Sequence, residues 1–125
     1  MPAPSTVIHS AAMRTALATA VKAQVETGAG TMAAELYDDD DLLLVSFDIA
    51  TFGAVSGPTF SANENPLPET TAEMFGAGAK TPTYAVVKNK DGDEVWRTPT
   101  VTTTPASFEE GVPVKLTGLS YTASV

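Results

Sequence analysis

The chain has no cysteine. Disulfides, thiolate zinc sites and cysteine nucleophiles are therefore excluded together. Histidine occurs once, at His9, and tryptophan once, at Trp96. Basic residues are also few, 7 against 15 acidic ones, for a net charge of −8. A surface of that sign repels nucleic acid and anionic membranes. Lys88 and Lys90 are the only basic residues close together, so no basic patch for DNA or RNA is expected. No run approaches the roughly 18 apolar residues that a membrane span needs. The opening "MPAPSTVIHSAAMRTALATAV" lacks a basic start followed by a long apolar run, the pattern of a secretory signal.

What is present fits a folded domain. At 125 residues, 43% hydrophobic and 18% charged, the chain is long and apolar enough for one core. A domain of this size buries roughly two-thirds of its unfolded surface. Residues 1–9, "MPAPSTVIH", carry Pro2 and Pro4 among β-branched residues and read as an extended arm. Residues 10–125 then form a single domain. Within it, Met13, Leu17, Val21 and Val25 recur every four positions with Ala20 beside them, one face of an amphipathic helix over Ser10–Thr27. Ser10 is its expected N-cap, and Gly28 and Gly30 of "TGAGT" its end.

Beyond Gly30 the period drops to two. In "TMAAELY", Met32, Ala34 and Leu36 alternate with Ala33, Glu35 and Tyr37, a strand. "LLLVSFDI" is a stronger strand, apolar enough at its start for burial on both faces. "FGAVSGPTFSA" reads as a bent or edge strand, because Gly53, Gly57 and Pro58 interrupt it. "NENPLPETT" reads as a loop, and "AEMFGAGAKTP" as a short helix or a loop. "TYAVVKNKDGDEVWRTPTV" is two alternating runs around Asp91-Gly92, a β-hairpin with Gly92 at positive φ. "GVPVKLTGLSYTASV" gives a last strand through Val112, Val114 and Leu116, extending toward Tyr121. The expected fold is mainly β, a six- or seven-stranded sandwich or barrel-like domain with one N-terminal amphipathic helix.

Two acidic stretches invite a metal reading. "YDDDDLLL" places Asp38 to Asp41 between two strands, where a turn is required and aspartate is favoured. Calcium loops instead alternate their ligands and end on a distant glutamate. "NKDGDE" does alternate Asn89, Asp91 and Asp93, but its glycine is at the fourth place and no glutamate follows at the right distance. Both read as turns, and no metal is assigned.

Catalytic patterns are scarce. His9 lies in the arm, a poor support for a serine–histidine–acid triad. Glu69, Glu73, Glu109 and Glu110 lie in polar, loop-like stretches, where solvated carboxylates are the plain reading. The "GAG" at 28–30 and at 76–78 lacks the rest of a phosphate-loop or dinucleotide fingerprint. Trp96 alternates within a strand and belongs to a core or interface. No enzyme and no cofactor is expected.

The order of elements and three stretches carry a resemblance. These are Phe52-Gly53-Ala54-Val55-Ser56-Gly57, the run Tyr84 to Val87, and Asp91-Gly92-Asp93-Glu94-Val95. The chain resembles a family of small structural proteins of tailed bacteriophages with "FG.AS.G" followed by a "W.RV.D.DG..V" hairpin. The family's tryptophan corresponds to Tyr84 or has no counterpart, and Trp96 follows the turn instead. The resemblance implies a virion component, foremost a capsid decoration (cement) protein, with a tail, collar or baseplate part as the alternative. It implies the major capsid protein or other virion proteins as partners, and a homo-oligomer, with a trimer favoured by local threefold docking points. It also implies a place on the capsid surface after synthesis in the host cytoplasm. The expected partner contact is the arm: Pro4, Ser5, Thr6, Val7, Ile8 and His9.

Overall fold

The computed structural model describes residues 8–63, 68–72, 78–99 and 101–123. Helix α1 (Ala11–Val25) is capped as its sequence demands: the Ser10 side chain accepts from the Met13 backbone N–H at 3.1 Å. That bond satisfies one of the orphan donors of the first turn. The buried line matches the expected one only in part. Ala18 and Val25 are buried and Val21 packs beside them, whereas Met13 is 48% exposed and Ala20 is exposed too. Alanine and threonine fill much of the outward face, so a four-residue period of apolar side chains does not single out one side.

Two antiparallel sheets follow, packed as a sandwich. The first has order β2-β1-β5-β6, from β1 (Met32–Tyr37), β2 (Leu43–Ile49), β5 (Tyr84–Lys88) and β6 (Glu94–Thr98). The second has order β3-β8-β4, from β3 (Thr59–Ser61), β4 (Glu69–Thr71) and β8 (Pro113–Thr122), with β7 (Val101–Thr104) also paired to β8. Strand β1 behaves as its alternation predicts: Met32, Ala34 and Leu36 enter the core, and Ala33, Glu35 and Tyr37 face outward. Leu44 and Val45 of β2 are both fully buried, as expected of its continuous apolar start.

Other expectations change. Within "FGAVSGPTFSA" only Thr59–Ser61 is a strand. Phe52 and Ser56 make single bridges to Ala62 and Thr59 around a turn in which Gly57 has φ 57°. Glu69–Thr71, in the stretch read as a loop, forms β4 through pairing with Lys115 to Pro113. Strand β7 had no sequence signal beyond its threonines. Val112 lies outside β8 and is 38% exposed, while Val114, Leu116 and Leu119 enter the core. A register shift opposite Thr102/Thr103 explains why Leu116 and Leu119, three apart, share a face. Trp96, Phe52, Phe60 and Tyr121 form a ring cluster with centroids 5.4 to 5.7 Å apart, which ties β6 of the first sheet to β3 and β8 of the second.

The aspartate run is a turn, and it has a twin. The Asp38 carboxylate accepts from the backbone N–H groups of Asp40 at 2.9 Å and Leu42 at 2.8 Å. Asp38 N–H donates to the Leu42 carbonyl, and Asp41 N–H to the Asp38 carbonyl. In the β5–β6 hairpin, the Asn89 side-chain oxygen accepts from Asp91 at 3.0 Å and Asp93 at 2.9 Å. Asn89 N–H donates to the Asp93 carbonyl, and Gly92 N–H to the Asn89 carbonyl. The fourth residue is left-handed in both loops, Asp41 with φ 61° and Gly92 with φ 86°. Each is a tight turn with a bulge, organised by one buried side-chain oxygen. The second loop is also docked: Lys90 N–H donates to the Thr27 carbonyl and Gly30 N–H to the Lys90 carbonyl. A side chain has no room there, since a Cβ on Gly30 would lie 2.5 Å from the Lys90 carbonyl oxygen.

Stability of variants checks this description in denaturant unfolding. Gly30→Ala is expected to cost about 1–3 kcal/mol through overpacking, and Gly92→Val about 1–2 kcal/mol through its left-handed backbone. Asp38→Ala, which removes both side-chain hydrogen bonds that organise the turn, is expected to cost about 1–2 kcal/mol. Asp38→Asn should be far milder, because Asn89 performs the same task in the twin loop. Equal losses for the two Asp38 variants would refute the turn reading.

Candidate functional site: the outer face of the first sheet

Antiparallel pairing of β1 with β5 places Tyr37 directly opposite Tyr84 and Glu35 opposite Val86. The two phenol rings stack 5.3 Å apart at 11°, as cross-strand aromatic neighbours can. Pairing of β5 with β6 puts Arg97 opposite Val86, and its guanidinium lies 5.6 Å from the centre of the Tyr84 ring. That is a cation–π distance.

The polar groups on this face hold one another. Glu35 accepts a hydrogen bond from the Tyr37 hydroxyl at 2.9 Å and an ion pair from Lys88 at 2.9 Å. Glu94 binds Arg97 through two bonds of 2.8 and 2.9 Å. The Tyr84 hydroxyl donates to Asp41 at 2.8 Å, across a sequence separation of 43. The β1–β2 turn is thereby tied to β5.

The ionisation behaviour follows from these contacts. Burial, and then the hydrogen bond to Glu35, push the Tyr37 phenol up to about 12. Bonding to Asp41 raises Tyr84. Arg97 draws Glu94 below its ordinary value, and Glu94 raises Arg97 in return. Both phenols therefore stay neutral around pH 7 and act as hydrogen-bond donors. The face surrounds a recess of about 380 Å³ lined by Glu35, Tyr37, Tyr84, Lys88 and Arg97, among others. A neighbouring one of about 350 Å³ shares Asp41, Tyr84 and Arg97. A third recess, about 340 Å³ at the β7–β8 bulge, is lined by hydroxyls and small residues.

Of the residues expected to meet a partner, Pro4, Ser5, Thr6 and Val7 lie outside the described residues. Ile8 is 58% exposed and His9 is half-buried just ahead of the helix cap. The Asp38, Asp39 and Asp40 carboxylates approach within 4.8 Å of one another. The Asp38 oxygen nevertheless points at backbone amides, as the turn requires.

Sequence reasoning passed over the outer face. Its signal was available: two tyrosines, a glutamate and a lysine occupy the non-core parity of β1 and β5. Which of them meet depends on register. Comparisons with known proteins add nothing here, since no protein-family model, curated protein or solved structure matches the chain.

Tyrosine ionisation checks the arrangement. The folded state holds Tyr37 protonated up to about pH 12, above the value of 10.0 for a free phenol. The associated stability is complete below pH 10 and is lost as pH rises toward 12. Denaturant unfolding between pH 9 and 12 should show a downward slope that is shallower in Tyr37→Phe. Identical slopes would show that burial and Glu35 do not raise the Tyr37 phenol in the fold.

Proposed function

We propose that this chain is a structural binding protein of a tailed-phage particle, a capsid decoration protein that attaches to the outside of the head and stabilises it. The observation that carries the binding role is the outer face of the first sheet. Tyrosine and arginine are the residue types most enriched at binding hot spots. Here they stand on paired strands, already fixed by stacking and by ion pairs. Side chains ordered in advance lose little entropy when a partner docks.

The phage assignment rests on the resemblance, and its residues occupy positions the fold uses. Phe52 packs against Phe60 and Trp96, and Gly53 N–H donates to the Ser61 carbonyl at 2.7 Å. Asp91-Gly92-Asp93 makes the docked hairpin loop. On a symmetric shell many identical modest contacts add up, so one such face per copy suffices.

Mixing the purified protein with undecorated, expanded capsids and imaging them tests the proposal. Regular density over the shell, with greater resistance of the capsid to heat, is the expected outcome. Density confined to the tail would assign the chain to a tail, collar or baseplate part. No density on the capsid at saturating protein would likewise discard the decoration role in favour of a tail or collar component.

A further inference from the structure

The twin loops differ at one telling position. Both need a left-handed residue; one uses Gly92 and the other Asp41. Glycine adopts that conformation freely, whereas aspartate does so at a cost. The cost places a carboxylate at the rim of the recess shared with Tyr84 and Arg97. Of the charged groups there, Arg97 is met by Glu94 and Glu35 by Lys88. Among the described residues Asp41 accepts from the neutral Tyr84 hydroxyl and no cation lies within ion-pair distance of it; Arg97, itself held by Glu94, acts on it only at longer range. Asp39 and Asp40 are exposed beside it. The recess is otherwise walled by Thr83, Thr98 and Pro99, surfaces suited to the methylene stem of a long side chain.

We propose that the recess beside Tyr84 receives a lysine or arginine side chain from a partner protein, with Asp41 as its anchoring carboxylate. The complementarity is one of charge and shape. With Arg97 neutralised by Glu94, the net charge about the recess is negative, its walls are short and partly apolar, and its mouth lies on the outer face. This rests on the binding role proposed above and names the chemistry of the contact.

The test is an NMR titration of the labelled full chain with a capped Ala-Ala-Arg-Ala-Ala peptide. The same peptide with citrulline in place of arginine keeps the shape and removes the charge. Saturable shifts centred on Thr83, Tyr84 and Thr98, seen with arginine and absent with citrulline, are expected. Asp41→Asn keeps an acceptor for the Tyr84 hydroxyl and suits the left-handed backbone, so the fold is retained, as its own spectrum will show. It should weaken the peptide at least fivefold, against less than twofold for Asp39→Asn. Shifts spread evenly over Asp39, Asp40, Asp91 and Asp93 would reveal unspecific attraction and overturn the proposal. So would equal binding of the citrulline peptide, or no shift at all. Peptide binding without capsid binding would retain this recess and discard the capsid role; capsid binding without peptide binding would do the reverse.

Discussion

The register between β1 and β5 is the constraint on which the rest depends. Five consecutive pairs, from Ala33 opposite Lys88 to Tyr37 opposite Tyr84, fix it. A slip of one residue would turn Glu35 and Tyr37 into the core and expel Ala34 and Leu36. Burial of those apolar side chains therefore selects the pairing. The same pairing stacks the tyrosines and brings Lys88 to Glu35 on the other side. Core and candidate interface are two faces of a single alignment.

The ends of that sheet are finished by the same device used twice. A side-chain oxygen with two lone pairs serves two backbone N–H groups of the turn that the strand ladder does not pair. Asparagine and aspartate do this equally well, so two loops of unlike composition adopt one geometry. Asp-Gly announced the second loop at once, because glycine marks the left-handed position. Four aspartates also read as a turn but did not mark its left-handed position, because Asp41 fills it without a distinguishing letter.

Strands with strict alternation and a long apolar run were legible: β1, β2, β5, β6 and the first half of β8 stand where their patterns put them. The Ser10 cap and the glycine break after α1 were equally plain. Strands β4 and β7 were not, because three or four residues owe their extended form to pairing with β8 and little to themselves. The buried line of α1 was anticipated only in part, at Val21 and Val25, for a related reason. Alanine suits either side of a helix, and only the position of the sheets decides which side is covered. The outer-face network was passed over: the alternation of β1 and β5 carried its signal, but the meeting of its members is a property of register and of a turn 43 residues away.

The docking of the second hairpin loop onto the segment after α1 also divides the surface into ground that can and cannot be built upon. Backbone bonds from Lys90 to Thr27 and Gly30 leave no slack, and a graft there would prise the helix from the sheet. The turn at Gly111 differs: it is exposed and nothing approaches within 4 Å of where a side chain would begin, although its φ of 79° reserves that one position for glycine. Foreign peptides, fluorophores or affinity tags belong at that turn. The cysteine-free chain would also accept a single thiol at exposed Glu109 beside it as the sole attachment point for labelling chemistry.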